Sequence, residues 1–175
     1  MVTEKQAAGR RGSPGQMIWV LITAWLLAAC NTQPADPVAV KNLQQGRAFL
    51  TQNKARKNVV TLPSGLQYRI LKHGSGISPM LPDTVTLHYR GMHIDGSEFD
   101  NTYARGSPVV RRIRTMIPGW RKALLLMSEG AKWRVFIPHY LAYTNRGKGE
   151  ISPNEVLIYD IELLRINWRE ETPKF

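Results

Sequence analysis

From Gly65 onward the apolar residues change from helical spacing to alternation, and that change limits the chain to a sheet-based domain with a helical lead-in. Leu66-Gln67-Tyr68-Arg69-Ile70 alternates as a strand does, and Val85-Thr86-Leu87-His88-Tyr89 places Val85, Leu87 and Tyr89 on one face. Asp95-Gly96 signals a tight turn into residues 97–100. Residues 109–113 predict another strand, and 133–137 and 156–164 the closing ones, with a long loop at 138–154 between them. Pro118 opens the one helix of the domain. Trp120, Ala123, Leu124 and Met127 fall at helical spacing there, and Gly130 stops it. The pattern predicts an α+β fold, an antiparallel sheet with one helix packed on it. Upstream, Asp36-Pro37 starts a helix with a capping aspartate and a first-position proline. Val40, Leu43, Phe49 and Leu50 give it a partial apolar stripe ending near Lys54. One helix of that length is marginal alone and must dock on the domain or on a partner.

The first thirty residues follow different rules. Residues 17–29 read MIWVLITAWLLAA, without a charge, and Lys5, Arg10 and Arg11 precede them. A spanning helix needs about 20 apolar residues. A basic start, a short apolar core and a small-residue exit predict a secretory signal instead. The exit Leu27-Ala28-Ala29-Cys30 resembles the bacterial lipoprotein box, after which Cys30 is lipidated and becomes the new N-terminus. A plain signal with a chance cysteine is the alternative, although the one cysteine of the chain stands at this position. A twin-arginine signal fits less well, because Arg10-Arg11 leads into Gly-Ser-Pro-Gly. A single cysteine also excludes an internal disulfide and a thiolate-rich metal domain.

Charge and composition narrow the partners. The chain carries 24 Lys+Arg against 13 Asp+Glu, and losing Lys5, Arg10, Arg11 and Glu4 with the signal takes the net charge from +11 to +9. An anchored protein of that charge suits an anionic lipid surface. Nucleic acid is not expected, given export and cations scattered rather than interleaved with stacking aromatics. No Gly-x-Ser-x-Gly elbow is present, and His73, His88, His93 and His139 form neither a helical pair nor a ligand cluster. Gly74-Ser75-Gly76 lacks the Lys and the following helix of a phosphate loop. What remains is a set of aromatics at turn and strand ends, Tyr89, Phe99, Trp120, Tyr143 and Tyr159, with the carboxylate Asp100 beside Phe99. An apolar cavity with a few polar groups describes a binding site. Core packing alone would also explain most of these rings.

Several segments in order resemble one known family. They are Asn42, Gly46, Phe49-Leu50 and Asn53; Ser64-Gly65-Leu66-Gln67-Tyr68; and Val85-Thr86-Leu87-His88-Tyr89 with Gly91. Asp95-Gly96-Ser97-Glu98-Phe99-Asp100, Ile117-Pro118-Gly119-Trp120, Leu126-Met127 and Gly130 with Lys132-Trp133 follow. Ile137-Pro138, Leu141-Ala142-Tyr143 and Glu162-Leu163-Leu164 complete the series. Together they resemble the FKBP-type peptidyl-prolyl cis-trans isomerases, in the bacterial branch related to the macrophage infectivity potentiator. The resemblance implies a curved antiparallel sheet wrapped around the helix at 118–127, with a proline-binding cavity between them. It implies Trp120 as the cavity floor and Tyr89, Phe99, Val109, Met116, Ile117, Ile151 and Tyr159 around it. Asp100 would be the buried acceptor, with Arg105 close enough to hold it ionised. The Ile117 backbone N–H and the Tyr143 hydroxyl would grip substrate carbonyls. Without the resemblance, Trp120 reads first as a core residue, Asp100 as a turn residue and Tyr143 as a buried ring. The implied activity needs no cofactor or metal. Its partners would be proline-containing polypeptides, with an FK506-type macrolide as inhibitor and the membrane reached through Cys30.

The chain then divides into a signal peptide (1–29), a lipidated tether (30–37), an N-terminal helical segment (38–62), an isomerase domain (63–168) and a tail (169–175). The helical segment is shorter than the dimerisation domain of larger relatives, so a monomer is expected. Asn31 after the cysteine points to the outer membrane, facing the periplasm. Three features depart from the family, one of them a loop from Thr144 to Ile151 about one residue shorter than in close relatives. Arg111 stands where an apolar ring is common, on the face of Val109 and Ile113, and Thr144 follows Tyr143 where Gly is common. A buried unpaired guanidinium is costly, so Arg111 is expected to reach solvent or find an acid, opening or recharging the cavity rim. Two other functions stay open. One is an anchored chaperone or binding module with little catalysis, and the other a basic membrane-peripheral structural protein.

Overall fold

Residues 36–167 are described by a computed structural model. The segment expected to be a signal peptide, Cys30 with its expected lipidation, all but the end of the expected tether, and the tail lie outside the described residues. Helix α1 spans Pro37–Asn53, and the Asp36 carboxylate accepts from the Val38 N–H at 2.9 Å, satisfying one donor of the first turn. The strands are β1 (Val60–Thr61), β2 (Gln67–Lys72), β3 (Thr84–Met92), β4 (Glu98–Asn101) and β5 (Val109–Arg112). A single 3-10 turn, Ile113–Thr115, leads into helix α2 (Pro118–Leu124). Strands β6 (Lys132–Ile137) and β7 (Leu157–Asn167) close the domain. The two-residue strand β1 carries too little pattern to be read from alternation.

Every pairing is antiparallel, in the order β1-β2-β6-β7-β3-β4, with β5 also on β3. One edge of β3 pairs with β7 from Thr84 to Met92. The other edge is divided, β5 taking Thr84 to Leu87 and β4 taking Arg90 to Met92. The register slips at Thr86/Leu87 against β7 and at Gly91/Met92 against β4. Such irregularities sharpen local twist and bend a sheet. The bent sheet holds α2 on its inner face.

That face is the main core. Trp120, Ala123 and Leu124 of α2 pack with Val85, Leu87, Trp133, Val135, Ile137, Tyr159, Ile161 and Leu163. Leu87 and Leu163 are fully buried, and truncating such a residue to Ala costs about 2–5 kcal/mol. The expected run of α2 to Met127 is corrected, because the α-helix ends at Leu124. The Leu126 and Met127 N–H groups both donate to the Ala123 carbonyl, at 3.0 and 3.1 Å, in a tighter turn that still buries Met127.

Helix α1 docks on the outer face of the same sheet. Phe49 and Leu50 cover Met92, Phe136 and Ile158. Asn53 Nδ2 donates to Gln67 Oε1 at 2.8 Å, and Gln67 Nε2 donates to the Leu50 carbonyl at 2.9 Å. Gly46 permits close approach, since a Cβ there would come within 2.7 Å of a Val156 methyl. Farther along this outer face, Asp160 lies between Arg134, at 2.6 and 2.7 Å, and Arg90, at 3.1 Å. Burial works against its carboxylate, but the two guanidinium groups outweigh it and keep the group ionised.

Candidate active site

The β3 ladder brings the aromatic residues together. Register sets Gly91 opposite both Asp100 of β4 and Tyr159 of β7, so residues from three strands converge beside α2. Tyr89 meets the Trp120 ring edge-on at a centroid distance of 5.0 Å, and Tyr159 meets it likewise at 5.0 Å. Phe99 stands at 88° to Tyr159, 5.6 Å away. Edge-to-face packing suits the ring quadrupoles, and these rings together form the aromatic hollow beside α2 that the sequence resemblance implies. Gly91 is required here. A Cβ would sit 2.6–2.8 Å from the Phe99 and Tyr159 rings, closer than carbon atoms pack.

One charged group edges this hollow. The Tyr89 hydroxyl donates to Asp100 Oδ2, the Arg105 Nη1 donates to Asp100 Oδ1, and Arg105 Nη2 reaches the Tyr89 oxygen at 3.3 Å. Desolvation opposes the Asp100 charge, but these donors outweigh it and hold the carboxyl below its ordinary range. Burial pushes the Tyr89 phenol up, and its bond to Asp100 adds to that, so it stays a donor. Burial likewise drives the Tyr159 phenol far up, with the nearby Tyr143, Tyr89 and Asp100 groups reinforcing it.

Thr102 fixes this arrangement and had no sequence signal of its own. Its hydroxyl accepts from the Tyr89 N–H at 2.8 Å and contacts His88 Nδ1 at 2.8 Å, and its own N–H donates to the Tyr89 carbonyl at 2.9 Å. The following turn is closed by Asn101 Oδ1, which accepts from the N–H groups of Tyr103 and Ala104. Arg105 is aimed back at Asp100 by that turn. Phe99 is braced from behind by His93, 5.0 Å away, itself hydrogen-bonded to Glu155.

Val109, Met116, Ile117 and Tyr143 pack, partly buried, against the same cluster, and Ile151 is buried within it. The Ile117 carbonyl accepts from Arg121, while its N–H has no hydrogen-bond partner among the described residues. Tyr143 lies in the loop after the 3-10 turn His139–Leu141, with Lys148 5.3 Å from its ring centroid. Arg111, one of two outcomes expected for it, reaches solvent, and its Nη1 donates to the Val110 carbonyl at 3.1 Å. Cys30 lies outside the described residues.

Two concavities lie elsewhere. One of about 140 Å³ sits between α1 and residues 138–140, lined by Leu43, Leu50 and Val156. Another of about 330 Å³ lies over Arg90, Tyr103, Lys132 and Asp160 on the outer face. The first is a seam between α1 and the segments that flank β6 and β7, and the second is lined by residues already engaged in ion pairs.

A curved antiparallel sheet that packs an aromatic cluster over one short helix, edged by a single ionised carboxylate, has the make-up of a non-covalent binding site. Two family models match the chain: FKBP-type peptidyl-prolyl cis-trans isomerase over residues 75–164, and the domain amino-terminal to such isomerases over residues 26–70. The chain is 46% identical over 129 residues to "Outer membrane protein MIP" of Legionella longbeachae, covering 73% of this chain and 55% of that protein. It is 44% identical to "Peptidyl-prolyl cis-trans isomerase Mip" of Coxiella burnetii, covering 71% and 55%. The crystal structure of FkpA from Escherichia coli superposes with a TM-score of 0.72 at 39% identity, covering 74% of this chain and 61% of that one. An isomerase structure from Pseudomonas syringae gives 0.70 at 34% identity, covering 76% and 98%. The chain spans about half the length of the curated relatives it matches. It belongs to the FKBP-type peptidyl-prolyl cis-trans isomerase family.

Thr144 carries backbone strain beside this site. Its φ is +56°, a left-handed conformation that suits glycine and penalises a β-branched residue. The conformation is held by its N–H bonding to the His139 carbonyl at 3.0 Å and its carbonyl accepting from Asn154 at 2.7 Å. Thr144→Gly is expected to raise stability by about 1 kcal/mol in denaturant unfolding, since that is the usual left-handed penalty. A loss of stability would show that the Thr side chain contributes more than the strain costs.

Proposed function

We propose that the chain accelerates cis–trans rotation about X–Pro bonds of exported polypeptides in the hollow floored by Trp120. The observation that carries this reading is a cluster of aromatic rings edged by one ionised carboxylate, Asp100, and one N–H, at Ile117, without a partner among the described residues. Rotation faces a barrier of about 18–20 kcal/mol because twisting destroys amide resonance, and uncatalysed exchange takes roughly tens to hundreds of seconds. No bond breaks, so no nucleophile or cofactor is required. In the twisted state the imide nitrogen becomes pyramidal and the bond loses charge separation. An apolar surface favours that less polar state over the planar imide.

The residues divide the work. Trp120 receives the proline ring, and Tyr89, Phe99, Val109, Met116, Ile151 and Tyr159 exclude water around it. The Ile117 N–H and the Tyr143 hydroxyl hold carbonyls on either side in the twisted geometry, which adds binding made only in the transition state. Asp100, kept ionised by Arg105, fixes the edge of the hollow and the Tyr89 ring. An FK506-type macrolide would compete for the same surface.

In a protease-free exchange assay with a prolyl tetrapeptide, Asp100→Ala combined with Trp120→Leu is expected to cut kcat/KM at least about tenfold. Circular dichroism would verify the fold, and Asp100→Asn provides an isosteric second variant. Unchanged activity in folded protein would remove the site from these residues. Because the Asp100 pKa lies below the usual range, the group is charged throughout neutral pH. Activity is therefore expected to stay flat between about pH 5 and 8 and to fall only as pH drops through that lowered value.

The same reading places the protein in the bacterial envelope as a monomer, lipid-anchored through Cys30 and facing the periplasm from the outer membrane. Support comes from the Leu27-Ala28-Ala29-Cys30 sequence and from a relative that carries the name outer membrane protein. Labelled palmitate is expected to enter the expressed protein and to be lost in Cys30→Ser. Label retained by that variant would contradict the anchor. A binding module with weak catalysis is favoured only by exposed apolar residues in the loop before β3, Ile77 at 75% and Met80 at 56% exposure. Aggregation suppression that persists with the hollow filled by a macrolide would support that second reading.

A further inference from the structure

The segment that supplies one wall of the hollow is also strongly basic. Between Asp100 and Glu129 the sequence contains Arg105, Arg111, Arg112, Arg114, Arg121 and Lys122 and no carboxylate. The wall residues Val109, Met116 and Ile117 are interspersed among these cations. Arg111 shows how the charge reaches the entrance. In register it stands opposite Val85, as Val109 stands opposite Leu87. Directly opposed residues of an antiparallel pair share a face. Arg111 is therefore rooted on the inner face, where Val85 and Leu87 are fully buried. Because β5 pairs with β3 alone, its guanidinium turns outward at an open edge and bonds only the Val110 carbonyl.

Not all of this charge is offset on the protein. Among the described residues, neither Arg111 nor Arg114 forms an ion pair with a carboxylate. Asp100, the acid at the hollow, is already matched by Arg105. On the loop that carries Tyr143, exposed Arg146 and Lys148 face solvent with one acid, Glu150, between them and Ile151. Uncompensated cations beside an apolar entrance focus a positive potential there and draw in negative segments.

Resting on the isomerase reading of the hollow, we propose that this rim selects X–Pro segments flanked by Asp or Glu, with Arg111 and Arg114 as specificity-determining residues. The interleaving of cations with wall residues favours a peptide over a lipid surface. The chain on either side of a bound proline must leave the hollow across this rim.

The test compares three prolyl peptides that differ only in having Glu, Ala or Lys at the positions flanking X–Pro. Catalysed exchange is read by NMR without a coupling protease, and binding of labelled peptides is read in parallel by fluorescence anisotropy. At about 0.01 M salt the Glu peptide is expected to exceed the Lys peptide about tenfold in both readings, the ratio shrinking toward one at about 1 M salt. In Arg111→Ser/Arg114→Ser the ratio is expected to fall toward one, with thermal unfolding showing an intact domain. Equal values for the three peptides, with or without pelleting of the protein on anionic vesicles, would overturn the proposal. The Ala peptide tests the isomerase reading separately. If it is not accelerated, that reading fails, while the binding ratio still decides whether acidic flanks are preferred.

Discussion

Strand β3 is the element on which the rest of the structure depends. Its ladder to β7 on one edge, and to β5 and then β4 on the other, fixes three neighbours against a single backbone. Because side chains alternate, that ladder decides which residues of four strands share the inner face. Tyr89 and Gly91 lie two residues apart on it, one supplying a ring and the other the space for two more. Slipping the register by one residue would turn Val85, Leu87 and Tyr89 outward and expose the core together with the hollow.

Polarity is then sorted by position. The interior of the hollow is ring surface, with the phenol of Tyr159 kept protonated by burial. The Asp100 charge stands at its margin, where Arg105 and Tyr89 compensate it without filling the centre. Farther out, Arg111 on β5 and Arg114 on the turn after it form no ion pair with a carboxylate among the described residues. Such layering suits chemistry whose transition state is less polar than its ground state, since a charge inside the hollow would favour the planar imide. The outer face uses charge differently. There Asp160 is enclosed by Arg90 and Arg134, and α1 covers Met92, Phe136 and Ile158.

Much of this could be read from the chain. Alternation at 85–89 gave the inner face correctly, and Asp36-Pro37 marked the true start of α1. The ordered motifs indicated the family to which the chain belongs. Other features were not legible because they depend on pairing between distant segments. Nothing local shows that Gly91 must yield to Phe99 and Tyr159, or that Thr102 pins Tyr89 across a ladder. The stripe on α1 required a docking surface but could not say which; Gly46 against Val156 and Asn53 against Gln67 choose the outer face of the sheet. Arg111 left two outcomes open, and the open edge of β5 decided for solvent. Thr144 could be noticed as an odd residue, whereas its positive φ belongs to the loop closed by His139 and Asn154.

The most direct measurement of the central claim is an amide and indole chemical-shift titration of the protein with a prolyl tetrapeptide. Saturable shifts centred on the Ile117 N–H and the Trp120 indole, with cis–trans exchange of the bound peptide accelerated in the same sample, are the expected result. The largest shifts appearing instead at Leu43, Leu50 and Tyr140, in the seam beneath α1, would contradict it.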